Sequence, residues 1–291
     1  MMASASPVRV RQGAIVEGEF LLTADDFARL AGMLLADAGI ALAQSKATLL
    51  YSRLAKRLRA LGLQDFKQYC DLLTDPAERE ERGRMLAALT TNVTRFFREP
   101  HHFDHLRKTV LPPLLAAAQR GSRVRIWSAA CSSGQEPYSV ALTILGLLPE
   151  AGRYDVKVLA TDIDPNMIAT AKAGKYSDDL LSPVPAAMRQ RWFRPCADGM
   201  EAGPELRQLV GFRELNLIGT WPMRGPFDAI LCRNVVIYFA EDTQALIWSR
   251  FMPLLSPAGH LYIGHSERLS GPAAAHFETV DITTYRRKPR A

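Results

Sequence analysis

An apolar run, Val124–Trp127, leads into the small-residue loop AACSSGQE and then into a helix opened by Pro137. Glu136 is the one carboxylate of that loop. A second apolar run, VKVLATDID, also ends on acidic residues, Asp162 and Asp164. A phosphate-bearing dinucleotide would call for GxGxxG here, because those glycines bring backbone amides onto a pyrophosphate. This loop has a single Gly and a carboxylate, and is poorly built for phosphate. The acidic positions better suit S-adenosylmethionine, which has an α-ammonium, a sulfonium and a ribose diol, and no phosphate. Glu136 can pair with the ammonium, and Asp162 can accept both ribose hydroxyls. Asp162 could instead cap the helix that begins at Pro165, but Asp164, directly before the proline, fits that cap better. Glu136 also suits a first helical turn, where the dipole favours an acid.

The elements that must position these residues follow from periodicity. Residues 1–20 are polar and aperiodic and read as a flexible extension. Residues 21–91 read as a small helical bundle. Thr23 is the N-cap of a first helix carrying Phe27, Leu30, Leu34 and Leu35 and ending at Gly39. A second helix covers Lys46–Leu61, with Leu50, Leu54, Leu58 and Leu61 on one side. Shorter helices follow over Asp65–Leu73 and Ala77–Thr90. From Val124 strands and helices alternate: Val124–Trp127, Pro137–Leu148, Val156–Ala160, Pro165–Ala173, Phe227–Cys232, Thr243–Leu255, His260–Ile263 and Val280–Arg286, with a further strand over Gly211–Leu215. That alternation predicts an α/β fold with a parallel sheet. Residues 176–214 interrupt it and read as an insertion, helical over Pro185–Phe193 and then hairpin-like. Ligands of such sheets bind outside the carboxyl ends of the strands. Those ends carry Ser128–Glu136, Asp162–Asp164, Arg233–Asn234 and Gly264–Glu267.

Composition bounds the class. The chain has 291 residues, 48% hydrophobic and 23% charged, ordinary values for a globular protein of one or two domains. No window approaches the ~18 unbroken apolar residues of a membrane span. The N-terminus lacks an apolar signal region, and the four cysteines are scattered, so a cytoplasmic location is expected. The net charge of +6 and the pI near 9.2 favour an acidic partner. The tail residues Arg286, Arg287, Lys288 and Arg290 read as a solvated terminus.

Upstream, TTNVTRFFREPHHF sets Asn92, Thr94 and Arg98 around Phe96 and Phe97. This string, with WSAACSSGQEPYSVA, ATDID, RELNL, FDAILCRNVVIYF and LSPAGHLYIGHSE, resembles the CheR family of chemotaxis receptor glutamate O-methyltransferases. The resemblance covers about residues 21–286 in order. It implies a helical N-terminal domain (21–91), a linker contributing to the cofactor site (92–110) and a Rossmann-like class I methyltransferase domain (111–291) with an inserted β-subdomain. The implied reaction methylates glutamate side chains of chemoreceptor signalling helices from S-adenosylmethionine, leaving S-adenosylhomocysteine. The implied cofactor contacts are Asn92, Thr94, Arg98, Glu136, Asp162, Asn216, Leu217, Arg233 and Asn234. Arg98 and Tyr238 match positions that face the transferring methyl and the substrate carboxylate; a clamp on the cofactor carboxylate and a packed aromatic are their plainer readings.

Lys46, Arg53, Lys56, Arg57 and Arg59 fall on the second helix with no acid among them. Lys46, Arg53 and Arg57 share a face opposite Leu50, Leu54 and Leu58. In the family the matching helix docks on acidic receptor helices, which makes Lys46, Arg53, Lys56 and Arg57 the expected substrate-binding residues. A solvated face is the alternative. Nucleic acid is not expected, since only Tyr51 interleaves the charges. The chain is expected to be a monomer without membrane insertion. A same-fold enzyme acting on nucleic acid or a small molecule, and a non-catalytic adaptor that binds the cofactor, are the competing readings. Gln135 stands where the family commonly has a second acid. RPCADGMEAGPE is short for the family's hairpin, so binding of a receptor pentapeptide is not assumed. His101, His102 and His105 beside Asp104 have metal-compatible spacing, but no metal is expected because the histidines fall in a metal-free family motif. IGHSER lacks the second Gly of a nucleophile elbow, which argues against a hydrolase.

Overall fold

The computed structural model describes residues 13–90 and 92–289. The chain divides into two compact units between residues 91 and 92. The first holds four helices: α1 (Ala24–Ala38), α2 (Ala47–Leu61), α3 (Phe66–Thr74) and α4 (Arg79–Leu89). Thr23 caps α1 in a reciprocal capping box with Asp26, and Gly39 ends the helix in a left-handed conformation. α1 packs on α3 and α2 on α4. Phe27, Leu30, Leu34, Leu50, Leu54 and Leu58 are buried, but Leu35 and Leu61 are 46% and 36% exposed, outside the buried stripe of their helices.

Two expectations change in this unit. Residues 1–12 of the expected extension lie outside the described residues, but its end is tied down. Ile15 N donates to Leu22 O, Leu21 bridges Asp65, and buried Phe20 donates its amide to Tyr51. Of the face expected for Lys46, Arg53 and Arg57, Lys46 is exposed while both arginines are half-buried and engaged within the unit. Arg53 donates to the carbonyls of Ala88, Leu89 and Thr90, closing the C-terminus of α4. Arg57 grips Glu81 with two guanidinium nitrogens, and Tyr69 adds a hydroxyl donor. The reason is the burial of Glu81, whose side chain is 3% exposed and needs a counter-charge. Lys46 and Lys56 stay exposed, and Arg59 pairs with Glu19.

The second unit opens with α5 (Pro100–His105), a π-helical turn (Leu106–Val110) and α6 (Leu111–Ala118). Residues 92–110, read as a linker, contribute Phe96, Phe103, Leu106 and Val110 to its core. There follow β1 (Val124–Ala129), α7 (Gln135–Leu147), β2 (Val156–Asp162) and α8 (Pro165–Ala173). The insertion contains β3 (Lys175–Tyr176), α9 (Asp178–Leu181), α10 (Ala186–Trp192), β4 (Phe193–Cys196), β5 (Gly199–Ala202) and α11 (Pro204–Leu209). β3, β5 and β4 make a small antiparallel sheet, so the short hairpin forms despite its weak strand formers. The chain then returns through β6 (Val210–Glu214), β7 (Phe227–Cys232), α12 (Glu241–Phe251), β8 (Leu255–Ile263), β9 (Phe277–Asp281) and β10 (Thr284–Arg287).

The main sheet has the order β6-β2-β1-β7-β8-β10-β9. β6 through β8 run parallel, and β10 is antiparallel to both neighbours. β1 and β7 are buried along almost their whole length, as a sheet covered on both faces requires. Strand order reverses between β1 and β7, which sets the ligand crevice at their carboxyl ends. The final run, expected as one strand, is a hairpin of β9 and β10. The tail is not a free terminus: Arg286 pairs with Glu278, Arg287 donates to Leu255 O and Lys288 to Ala275 O, because β10 lies inside the sheet. Arg290 lies outside the described residues.

Removing Arg57 leaves the Glu81 carboxylate with the Tyr69 hydroxyl and a longer ion pair to Arg84 at 3.6 Å. Arg57→Ala should lower the unfolding free energy by about 2–3 kcal/mol, less than the ~3–5 typical of a fully buried pair because Arg57 keeps some solvent contact. Urea unfolding of the full chain reads this directly. A loss under about 0.5 kcal/mol would show that Tyr69 and Arg84 satisfy Glu81 without it.

Candidate functional site

Four strand ends and one upstream segment build the site. After β1 the chain turns tightly, with Ala130 and Ser132 at φ +61° and +49° and Gly134 at +94°. A Cβ on Gly134 would lie 2.9 Å from the Ala171 Cβ and 2.8 Å from the Tyr176 hydroxyl, so this glycine serves close packing on α8. Glu136 sits in the first turn of α7. Its carboxylate accepts from Ser128 Oγ at 2.7 Å and pairs with Arg233 Nη1 at 2.9 Å.

Asp162 ends β2 and is buried. Its oxygens accept from Ser132 N at 2.7 Å and Asp164 N at 3.0 Å. Burial pushes its carboxyl above the usual range, against those amide bonds. Asp164 is the N-cap of α8, accepting from Asn166 N, and its second oxygen accepts from Asn92 Nδ2 at 3.3 Å. Asn92 O in turn accepts from Ser132 Oγ. The upstream motif therefore lies across the first two strand ends. Phe96 anchors it edge-on against Tyr176 and Phe193 of the insertion. Thr94 is half-buried in the same stretch. Leu215 N donates to Asp162 O, which brings the Asn216–Leu217 loop to the end of β2.

Arg233 follows β7 and has a side chain only 2% exposed. Besides Glu136 it pairs with Glu99 Oε2 at 3.2 Å, donates to the carbonyl of Arg98, and stacks over Phe103. Its guanidinium is committed to the frame. Glu99 also accepts from His265 Nδ1 at 2.9 Å and Asn234 Nδ2 at 3.2 Å. Burial raises the Glu99 carboxyl, but the His265 bond, the Arg233 charge and the Asn234 bond outweigh it and hold the pKa at about 2. Behind them, the buried carboxylate of Glu267 accepts from Val235 N, Val236 N and Gly264 N, tying the end of β8 to the end of β7. Burial raises its pKa against those amide bonds. A Cβ on Gly264 would come within 2.4 Å of Asn234 Nδ2, so only glycine allows this approach.

Phe97, Glu99, Ala130, Ser132 and Asn234 all have positive φ, although none is glycine. Such strain gathers where a surrounding network over-determines the backbone. Arg98, between two of them, donates to Val93 O at 2.8 Å. Among the described residues no carboxylate pairs with its guanidinium. Tyr238 ends the short turn Val236–Tyr238 and is half-buried, with no hydrogen bond from its hydroxyl among those residues.

Glu99, His101 and His102 bring three potential ligand atoms within 4.8 Å. The cation beside them is already Arg233, and His102 Nε2 is spent on Thr283. Burial and the Arg233 charge hold the His102 pKa down to about 3, so its imidazole is neutral. His105, the other member of the i, i+4 pair, bonds Tyr262.

Glu99, His265 and Glu267 carry much of this network, and none had been given a role. Glu99 lies between Arg98 and the helix-opening Pro100, where an acid reads as a helix-end residue. His265 and Glu267 follow β8, at a strand end whose sequence alone points to no particular chemistry. Apart from Gly264, three positions from Glu267, the partners named here lie 31–166 positions away in sequence, beyond any local pattern.

Acceptor-only carboxylates at adjacent strand ends, beside a loop with no phosphate cradle, fit an ammonium and a ribose diol. A doubly wound sheet with those acceptors at its switch point suits a protein that binds a nucleoside cofactor. Residues 92–286 match the family model for the SAM-binding domain of CheR methyltransferase, and residues 25–90 match its all-alpha domain. The chain is 55% identical over 258 residues to a probable chemotaxis protein methyltransferase of Rhizobium etli, covering 87% of this chain and 96% of that protein. It is 43% identical to chemotaxis protein methyltransferase 2 of Pseudomonas aeruginosa, over 86% of this chain and 88% of that one. It is also 43% identical to the chemotaxis protein methyltransferase of Escherichia coli, over 84% of each. The chain belongs to the CheR methyltransferase family. Its cofactor is S-adenosylmethionine. No helix among the described residues is long and apolar enough to cross a membrane.

Glu99 has a folded pKa near 2 against an ordinary 4.5. A depressed carboxylate stabilises the fold above the ordinary value, and that contribution disappears as pH falls from about 4.5 through 2. Glu99→Gln should therefore flatten the acid-unfolding curve of the full chain in that window, followed by circular dichroism. Acid curves of equal slope for wild type and variant would contradict the pairing.

Proposed function

We propose that the protein transfers a methyl group to side-chain carboxylates of glutamates on the cytoplasmic helices of chemoreceptors. One observation carries this over other methyl acceptors: Arg98 lies within the strained segment at the cofactor crevice with its charge uncommitted to any acid of the described residues. A guanidinium in that position suits an anionic acceptor.

When bound, S-adenosylmethionine supplies an electrophilic methyl group on a sulfonium. Asp162 would accept the ribose hydroxyls, and Glu136, oriented by Ser128 and Arg233, the ammonium. Asn92, Thr94, Asn216, Leu217 and Asn234 would line the remainder. Arg233 acts through Glu136 and the Arg98 carbonyl, as a positioning residue. Arg98 and Tyr238 orient the incoming carboxylate by charge-assisted hydrogen bonds. A glutamate is already ionised at neutral pH, so the chain needs no general base. An O–CH3 bond forms as the S–CH3 bond breaks; the carboxylate charge and the sulfonium charge cancel, leaving the ester and S-adenosylhomocysteine. Alignment of oxygen, carbon and sulfur is the chain's main task, and such positioning can contribute ~7–11 kcal/mol.

Exposed Lys46 and Lys56 meet the acidic receptor helices, while Arg53 and Arg57 hold the helix that presents them. The protein works in the cytoplasm as a monomer.

Receptor signalling domains incubated with labelled cofactor should acquire alkali-labile methyl esters. Arg98→Ala should lower turnover by roughly 10²-fold or more, and Tyr238→Phe by less. Lys46→Glu with Lys56→Glu should weaken receptor methylation, most at low salt, and leave S-adenosylhomocysteine affinity unchanged. Alkali-stable product, or full turnover by both site variants, would exclude this reading.

A further inference from the structure

We infer that Arg250 and Trp221 form a staple that holds the loop after β6 in its cofactor-binding shape, making Arg250 a positioning residue for cofactor affinity. The inference rests on the reading above that Asn216 and Leu217 touch the cofactor. Residues 215–226 join β6 to β7 with neither helix nor strand. A long irregular connection inside a compact unit needs something else to order it. Its backbone bonds among the described residues include Leu215 N to Asp162 O, Gly219 N to Asn216 O and Ile218 N to Asn216 Oδ1.

Side chains supply the rest. Leu217 O accepts from Trp221 Nε1 at 3.1 Å and from Arg250 Nη1 at 2.9 Å. Gly219 O accepts from Arg250 Nη2. The guanidinium also lies 3.8 Å from the Trp221 ring centroid, a cation–π distance. Trp221 stacks on Phe251 of α12 at 5.1 Å and meets Trp127 of β1 edge-on at 5.1 Å. α12 and β1 therefore hold the loop between them. Among the described residues Arg250 pairs with no acid, and burial lowers its pKa. Its hydrogen bonds go to loop carbonyls alone, at the residue read as a cofactor contact. Arg250 is half-buried, and the two carbonyls and the indole face replace the part of its hydration that it loses. Only a planar guanidinium can bridge two carbonyls while lying flat on an indole. The staple orders the loop before the ligand arrives, which removes that ordering cost from binding.

Titration calorimetry with S-adenosylhomocysteine tests this on the full chain. Arg250→Ala should raise the dissociation constant on the order of 10–100-fold, with KM for the cofactor rising more than kcat falls. Arg250→Lys should recover little, since an ammonium cannot bridge and stack together. Trp221→Phe, which keeps a ring and loses the Nε1 bond, should fall between. If Arg250→Ala does not fold, the other two variants decide. Asn216→Ala separates the two levels. A raised constant for Asn216→Ala with unchanged constants for Arg250 and Trp221 variants overturns the staple alone. Unchanged constants for all of them overturn the loop's assignment and the staple with it. A lowered melting temperature with unchanged affinity reduces Arg250 to a stabilising contact.

Discussion

One buried guanidinium organises the cofactor crevice. Arg233 is withdrawn from water, and a cation in that position must be paired or it destabilises the fold by several kcal/mol. Two carboxylates pair with it, Glu136 from the first turn of α7 through Nη1 and Glu99 from the segment before α5 through Nη2. Its remaining bond, to the Arg98 carbonyl, holds the peptide next to the residue read as facing the substrate. The upstream motif, the β1 loop and the end of β7 are separate in sequence, and this cation makes them one surface. Positive φ angles occur in each of the segments so joined, at Phe97 and Glu99, at Ala130 and Ser132, and at Asn234. Backbone strain of that kind persists only under such a constraint.

Buried carboxylates act as the complementary device. Glu267 collects three backbone amides and fixes the ends of β7 and β8 together. In the helical unit, Glu81 draws Arg57 inward and away from a basic surface. The same logic governs both units: an acid excluded from solvent recruits whichever donors lie in reach, and the charges left outside are those free to meet a partner. Surface charge counted along a helix therefore overstates what is available for docking.

Much of the fold was legible in the sequence. Pro165–Ala173 and Phe227–Cys232 match their elements, and the alternation after Val124 implied the parallel sheet. Capping residues gave Thr23, Gly39 and Asp164, because a cap is satisfied within a few residues of itself. Less legible were interactions set by distant partners. Glu99 is an ordinary acid before a proline until β7 delivers Arg233 beside it. Arg53 and Arg57 look solvated until α4 packs alongside. Leu35 and Leu61 continue a helical period past the edge of the buried face. The hairpin of β9 and β10 hides in one β-rich run because Asp281–Thr283 lacks the glycine that usually marks a turn.

If Arg233 joins Glu99 and Glu136 into one clamp, the effects of removing its members cannot be independent. A double-mutant cycle of Arg233→Met and Glu99→Gln, read as the dissociation constant of S-adenosylhomocysteine by calorimetry, measures this. The clamp predicts a coupling energy of about 1–3 kcal/mol, because either change alone already opens it. Additivity within ~0.5 kcal/mol would contradict it and reduce Arg233 to a local partner of Glu136.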